Sequence, residues 1–131
     1  MPQRNRRRGA TVVEFAVVTA FVFAAFFAAF EFCRVAMIGH TAANAVYEGA
    51  RVAIVPGGTS AQARARASEL LSVVGVNNAS VTVQPATITD QTQEITVGVS
   101  VALNDNTFVP LQFFGGKSVN RELTMRREGK R

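Results

Sequence analysis

The sequence predicts an α+β fold in which a long N-terminal helix is followed by a second short helix and a three-stranded antiparallel sheet. Three observations predict it. The first is an apolar segment, Ala10 to Phe30, followed by a stretch without a strong helix breaker as far as Val55. The others are a capped amphipathic segment after Pro56 and three later runs in which apolar and polar residues alternate. A chain of 131 residues fits one domain, or one domain with an appendage.

The first helix opens with a strongly apolar segment from Ala10 to Phe30. Eighteen of its 21 residues are hydrophobic, and its only charge is Glu14. A helix of this length rises about 31 Å, close to the roughly 30 Å hydrocarbon thickness of a bilayer. A cleaved signal peptide has a shorter apolar region and a small-x-small cleavage site, and this segment fits neither requirement. We therefore expect a transmembrane helix, with membrane lipid as its surroundings.

The basic residues directly before this segment predict its orientation. They are Arg4, Arg6, Arg7 and Arg8. Because basic flanks stay on the cytoplasmic side, the N-terminus is expected inside and the bulk of the chain outside the cytoplasm. The formal net charge of +5 falls to +1 without the first nine residues, so the surplus is a topology signal. We expect no nucleic-acid partner.

Glu14 is the unusual residue of the apolar segment. A carboxylate inside a membrane helix costs about 2.5–3.5 kcal/mol on insertion scales, and such residues are usually functional and paired. Two interpretations remain open from position alone. Either Glu14 has a cationic partner, or it lies close enough to the headgroups to be tolerated without a role.

From Glu31 to Val55 the helix is expected to continue beyond the membrane. One apolar stripe recurs there at steps of three and four, made of Phe32, Ala36, Gly39, Ala43, Val46, Ala50 and Ala53. Its small side chains would let another helix or a sheet approach closely. The stripe either packs against both its own domain and neighbouring subunits, or packs on its own domain alone.

Three further expectations concern polar side chains on this part of the helix. Glu31 with Arg34, and Glu48 with Arg51, are spaced to pair on the surface, each pair worth about 0.2–0.5 kcal/mol. Cys33 is expected to be a free, buried thiol, although a cross-link between two chains is an alternative.

Residues 56–131 are predicted to form a small α+β domain. Thr59 and Ser60 offer a helix cap, and Gly75 a helix end. The apolar face of that helix is Ala63, Ala67, Leu70, Leu71 and Val74. Its exposed face carries Arg64 and Arg66.

Three strands are predicted after this helix. Their apolar positions are Val81 and Val83, then Ile95 to Leu103 at every second residue, then Val119, Leu123 and Met125. Arg121 interrupts the apolar face of the last strand. One-sided alternation predicts an antiparallel sheet covered on one face by the N-terminal helix. The apolar run from Val109 to Phe114 has two interpretations. It is either an exposed hydrophobic rim that contacts a partner or the membrane surface, or a satellite core that packs under the sheet.

The sequence contains little that could perform catalysis. One cysteine and one histidine exclude an internal disulfide framework and a conventional Cys/His metal cluster. Cys33, Met37 and His40 share a helix face, but no fourth ligand accompanies them, so no metal site is predicted. No nucleophile and base arrangement is visible, and we expect neither an enzyme nor a bound cofactor.

The N-terminal motif resembles the leader and cleavage site of the type IV pilin superfamily. It consists of basic residues ending in Gly9, then Ala10 to Val13, then Glu14-Phe15 opening an apolar helix. Two further motifs, Glu31-Phe32-Cys33-Arg34 and Glu48-Gly49-Ala50-Arg51, resemble the TadE-like branch of minor pilins, or pseudopilins, of the tight-adherence (Tad, Flp pilus) system. Cys33 departs from the glycine or other small residue expected there. The closing Met125-Arg126-Arg127-Glu128 is also similar to that branch.

The resemblance implies a pilin-like extracytoplasmic domain and a division into residues 1–9 as leader, 10–30 as transmembrane helix, 31–55 as its continuation and 56–131 as the domain. It implies cleavage by a prepilin peptidase between Gly9 and Ala10, and assembly contacts at Glu14 and Phe15. The partner of Glu14 would be the new α-amino group at Ala10, on the same or a neighbouring chain; an amine and a carboxylate attract strongly in a low-dielectric layer.

The resemblance further implies a bacterial inner-membrane protein that takes part in initiating or assembling a pilus for adhesion. Its partners would be other minor and major pilins, through the N-terminal helix, and the inner-membrane assembly platform. The alternative is a permanently anchored envelope protein whose sheet domain recruits a partner without cleavage.

Overall fold

The computed structural model describes residues 4–108 and 115–127, and side chains from Gly9 onward. In chain order its elements are α1 (Arg4–Ile54), α2 (Ser60–Val73), β1 (Ala79–Gln84), β2 (Glu94–Ala102), a short 3-10 turn (Leu103–Asp105) and β3 (Ser118–Arg126). The predicted α+β fold, with one long helix, one short helix and three antiparallel strands, is confirmed. The apolar run 109–114 and Glu128 lie outside the described residues.

The chain divides into two compact units, residues 1–33 and 34–131, and α1 contributes residues to both. In the first unit α1 already begins at Arg4, six residues before Ala10. In the second unit α1 ends at Ile54, just before Pro56, because proline cannot continue a helix without losing a backbone hydrogen bond.

A capping box starts α2. The hydroxyl of Thr59 accepts a hydrogen bond from the backbone N–H of Gln62, and the Gln62 side chain accepts one from the N–H of Thr59. Gly75 follows the helix with a φ of 65°, a left-handed conformation that glycine adopts without steric cost. The predicted cap and the predicted helix end are both confirmed.

The sheet has the order β1-β2-β3, with both neighbouring pairs antiparallel. β2 is therefore the central strand, and its apolar residues, from Ile95 to Val101 at every second position, are buried. Val97 faces Val83 on one side and Leu123 on the other. The opposite face of the sheet carries the polar residues of the alternation.

One hydrophobic core holds the second unit together. It joins residues of α1, α2 and the inward face of the sheet. The α1 residues in it are Ile38, Ala42, Ala45, Val46, Ala50 and Ala53. The predicted stripe is therefore correct from Val46 onward. Before Val46 it is wrong at Phe32, Ala36 and Ala43, which are exposed, while Gly39 is half-buried.

Candidate functional site

The segment from Ala10 to Phe30 is an exposed apolar helix within the unit 1–33. Its large hydrophobic side chains are uncovered, with Phe15 70% and Phe21 73% exposed. The helix from Gly9 to Ile54 is long and apolar enough to cross a membrane. Its most apolar 18-residue segment has a mean hydropathy of 2.3, and none of that segment is buried. Bare apolar surface of this extent is unfavourable in water, so the segment is a candidate membrane anchor.

Gly9 and Ala10 lie in consecutive positions inside α1. A Cβ placed on Gly9 would have no atom within 4 Å, so no packing contact requires a glycine there. Glycine in a helix interior costs roughly 0.5–1 kcal/mol relative to alanine. The fold therefore gives no structural reason for Gly9, and its role as the cleavage position stays a prediction.

Glu14 and Phe15 are both exposed on α1. Glu14 lies four residues after Ala10, so the two residues share one face of the helix. Among the described residues, no cationic side chain forms an ion pair with Glu14. The side chains of Arg4, Arg6, Arg7 and Arg8 are outside the described set, so their topological role also stays a prediction.

The first of the two later motifs has a mixed outcome. Glu31 is completely buried, so the predicted surface pair with Arg34 is wrong in placing this carboxylate in solvent. Phe32 is 65% exposed. Cys33 is free, as expected, but it is exposed instead of buried. Most residues from Glu31 to His40 are apolar or small, so periodicity could not identify the covered face.

The Arg34 side chain links α1 by hydrogen bonds to the end of α2 and to the residues after the 3-10 turn. Its Nη1 and Nη2 atoms donate to the carbonyl oxygens of Val74, at 2.8 Å, and Gly75, at 3.0 Å, directly after α2. Its Nε donates to the carbonyl of Asn106 at 3.4 Å. The guanidinium also lies 5.5 Å from the ring centroid of Phe108. A cation at a helix C-terminus satisfies carbonyls that have no partner within the helix.

The sequence analysis did not identify Asn106, which is buried and whose carbonyl accepts one of the Arg34 hydrogen bonds. Its side-chain oxygen accepts a hydrogen bond from the N–H of Asn77 at 2.7 Å. Its amide group donates to the carbonyls of Asn77, at 2.9 Å, and Ala102, at 2.8 Å. Nothing in the sequence distinguishes it from Asn104 and Asp105, because its role depends on a segment about 30 residues earlier.

The second motif lies where α1 passes closest to its neighbours. A Cβ on Gly49 would meet the carbonyl oxygen of Ala63 at 3.1 Å and Cγ1 of Val97 at 3.4 Å, so the glycine permits close approach of α2 and β2. Ala50 is fully buried. The predicted surface pair of Glu48 and Arg51 is confirmed, with Nη1 and Oε1 3.9 Å apart.

The closing motif, Met125 to Glu128, also has a structural role in its described part. Arg127 donates through Nη1 to the carbonyl of Thr89 at 2.7 Å, and its backbone N–H donates to Gln93 at 2.7 Å. Asp90 lies 4.0 Å from the same guanidinium. Arg127 therefore holds the loop between β1 and β2 against the end of β3.

Within the described residues, no group of three or more His, Cys, Asp or Glu side chains could hold a metal ion. Met37 and Cys33 are exposed on α1, as is His40. The polar contacts described above all stabilise the fold, and none of them forms a nucleophile with a general base.

No curated protein and no solved structure matches the chain. A family model described as TadE-like protein does match, over residues 9–51, about a third of the chain. TadE-like proteins are structural rather than catalytic. The matched segment begins at Gly9, includes Glu14 and contains both later motifs. This match, on a long apolar helix that leads into a small α+β unit, is consistent with a TadE-like, pilin-related protein of the Tad system.

Proposed function

We propose that the chain is a membrane-anchored minor pilin, or pseudopilin, that a prepilin peptidase cleaves after Gly9 and that takes part in initiating or assembling a Tad-type pilus for adhesion. The observation that carries the proposal is the exposed apolar helix of residues 10–30 with one carboxylate, Glu14, near its start. Such a helix both anchors a subunit in the membrane and offers a surface on which subunits can pack. Its role is structural, without catalysis.

Gly9 supports the processing step. It occupies a helical position that would accommodate a side chain, and its presence lowers helix stability. Packing within the fold does not explain the glycine, but cleavage does, because a peptidase must approach the backbone closely at the position where it cuts. Cleavage there removes the basic leader and creates a positive α-amino group at Ala10.

Glu14 supports the assembly step. Its carboxylate is exposed in the part of the helix assigned to the membrane, where an unpaired charge costs about 2.5–3.5 kcal/mol. The α-amino group at Ala10 of its own or a neighbouring chain would neutralise it. When the amine belongs to a neighbouring chain, the pair fixes the relative position of two helices, because sliding one along the other leaves both charges unpaired.

The proposed location follows from the same helix. The arginine-rich leader faces the cytoplasm of a bacterial cell, residues 10–30 cross the inner membrane, and the unit 34–131 lies in the periplasm or on the pilus. Its partners are the prepilin peptidase, other minor and major pilins, and the assembly platform of the inner membrane.

Substitution of Glu14 separates this proposal from a permanently anchored envelope protein. In the native host, Glu14→Gln is expected to abolish piliation and co-purification with other pilins while membrane fractionation stays unchanged. Glu48→Gln, on the same helix in the unit 34–131, is the matched control and should leave piliation intact. Normal piliation of the Glu14→Gln strain would favour the anchor and contradict the pilin.

A further inference from the structure

Strand β3 lies at the edge of the sheet, and its pairing with β2 shows which of its backbone groups point outward. The N–H of Arg127 donates to the carbonyl of Gln93 at 2.7 Å, and the N–H of Leu103 donates to that of Lys117 at 3.0 Å. Both pairs continue the register of β2 with β3, and hydrogen-bonded pairs alternate with non-bonded pairs in an antiparallel ladder. The odd-numbered residues of β3 therefore form the hydrogen bonds with β2, and the even-numbered residues turn their N–H and C=O groups to the open edge.

One end of this edge is already covered. Nη1 of Arg121 donates to the outward carbonyl oxygen of Asn120 at 3.1 Å, and a groove between α1 and β3 lies beside residues 118–121. The other end is open.

The open end of the edge consists of Glu122, Thr124 and Arg126, which are all exposed. Within the part of the chain that the structure describes, their outward backbone groups have no hydrogen-bond partner. The other edge strand, β1, has only six residues and is followed directly by Pro85, two features that limit pairing with a further strand. β3 has nine residues and no proline, so its open end is the template that the sheet offers.

The side chains at this open end carry complementary charges. Glu122 and Arg126 lie on the polar face of the sheet, and among the described residues neither belongs to an ion pair. They are four residues apart on one strand, about 13 Å, so they cannot pair with each other. Glu122 lies opposite Gly98 on β2, which has no side chain, and Arg126 lies opposite Glu94. The carboxylate of Glu122 therefore has no charged neighbour directly across its own sheet.

We propose that this edge pairs with the same edge of a second copy of the chain, antiparallel and centred on Thr124. This register places Glu122 of each copy directly opposite Arg126 of the other. The three opposed pairs would exchange about six backbone hydrogen bonds, two for each pair. Two opposite-charge pairs form on the polar face, and each such pair favours the strand pairing. The result is a symmetric dimer with one continuous sheet of six strands.

The charges and the covered carbonyl select this register. A dimer centred on Glu122 would set the two carboxylates directly against each other, which is unfavourable. It would also need the outward carbonyl of Asn120, which already accepts the hydrogen bond from Arg121. The dimer centred on Thr124 leaves that bond intact.

The inner face of the sheet accepts the same register. Leu123 of one copy lies opposite Met125 of the other, and both side chains are half-buried, so the pairing extends the apolar face. Arg121 lies opposite Arg127, a like-charge pair. Each of these guanidinium groups already donates to a carbonyl of its own chain, so neither has to turn toward the other.

Disulfide cross-linking of the full-length chain in an uncharged detergent tests the proposal. A single pair of strand edges is small beside a standard interface of about 1,600 Å², so the dimer is expected to be reversible and the cross-link is needed to trap it. The exposed Cys33 is first replaced by serine. Thr124→Cys then places two thiols at the symmetry axis, where opposed Cα atoms are about 5.5 Å apart, within the range that a disulfide spans.

Asn120→Cys is the matched control, because it lies on the same strand and the same face and is also exposed. In the proposed register it lies about 27 Å from its counterpart, too far for a disulfide. On mild oxidation we expect a covalent dimer from Thr124→Cys and at least about fivefold less from Asn120→Cys.

A charge exchange tests the partner and the register together. In the Thr124→Cys chain, Glu122→Arg and Arg126→Glu each convert both opposite-charge pairs into like-charge pairs, so each variant alone should cross-link about fivefold less. An equal mixture of the two variants restores both attractive pairs, so mixed dimers should form at the original yield. Intact mass identifies the mixed dimer, and circular dichroism checks that each variant is folded.

Equal cross-linking of Thr124→Cys and Asn120→Cys would overturn the proposal, as would a mixture that cross-links no better than its two components. A stronger cross-link from Glu122→Cys than from Thr124→Cys would contradict the register. If Thr124→Cys forms no dimer but, in the native host, forms a disulfide with a different protein, the edge binds a strand of that protein and the second copy is excluded.

The pairing goes beyond the proposed function, since it uses neither cleavage at Gly9 nor the charge of Glu14. Adding Glu14→Gln to the Thr124→Cys chain should therefore leave the yield of dimer unchanged. Loss of the dimer in that variant would assign the association to the N-terminal helix and overturn pairing through β3. Piliation of the Glu14→Gln strain tests the pilin separately, so the two proposals can fail independently.

Discussion

Gly49→Ala tests the packing of α1 in the unit 34–131 most sharply. The added methyl group would lie 3.1 Å from the carbonyl oxygen of Ala63, 3.4 Å from Cβ of Ala67 and 3.4 Å from Cγ1 of Val97. Two of these neighbours are backbone or a short side chain that cannot rotate away. The helix must therefore move from α2 by a few tenths of an ångström, which loosens contacts along the shared core.

Two opposing effects set the size of the change. Replacing a helical glycine by alanine stabilises by about 1 kcal/mol. Overpacking a filled site destabilises by about 1–3 kcal/mol. We expect Gly49→Ala to be up to about 2 kcal/mol less stable than the wild type, which lowers the melting temperature by several degrees in a unit of about 100 residues.

Gly39→Ala is the matched control on the same helix. Its methyl group would meet only the mobile guanidinium of Arg121, at 3.7 Å, so the helix gain should remain and stability should be unchanged or higher. Thermal unfolding of the full-length variants in detergent, followed by circular dichroism, measures the difference. Equal melting temperatures for Gly49→Ala and Gly39→Ala would refute close packing at Gly49.

Three other substitutions test the polar contacts, each by urea unfolding. Arg34→Met removes the donor of three carbonyl hydrogen bonds and should destabilise by about 1.5–3 kcal/mol, with only partial rescue by Arg34→Lys. Asn106→Ala removes the buried side chain that pairs with the part-buried backbone N–H and carbonyl of Asn77, and should cost about 1–3 kcal/mol; no loss would contradict that role. Arg51→Ala breaks an exposed 3.9 Å pair and should change stability by less than about 0.5 kcal/mol, whereas a larger loss would show that Arg51 has another contact.

The elements that the sequence predicts well are those with local signals. The cap at Thr59 and the left-handed Gly75 bound α2 as expected, since each depends on only a few neighbouring residues. The strict alternation in β2 predicts a strand with one buried face, and the structure buries that face. Period-two patterning is reliable here because the polar face of the sheet is open.

The covered face of α1 could not be predicted in the same way. Between Val35 and Val55 most residues are apolar or small, so more than one face satisfies a helical period. The covered face depends on where α2 and the sheet pack, and these residues are distant in sequence. In the first half of the stripe the pattern predicts Ala36 and Ala43, whereas the structure buries Ile38, two residues after the one, and Ala42, one residue before the other.

In the candidate site, too, the features with local sequence signals are predictable and those that depend on distant residues are not. Gly9, Glu14 and the apolar segment can be recognised from local order, and the family match begins at the same glycine. The hydrogen bonds of Arg34 join it to residues about 40 and 72 positions later in the chain, so these contacts can be identified only from the folded structure. The motif residue was predicted, but its partners were not.

The mass of the mature chain tests the central claim most directly. The chain is expressed with its cognate prepilin peptidase, purified from the membrane and measured intact. We predict a species that begins at Ala10 and lacks residues 1–9, and its absence when the peptidase is omitted or when Gly9 is replaced by valine. A chain that still begins at Met1 or Pro2 in the presence of active peptidase would contradict processing, and with it the proposed pilin.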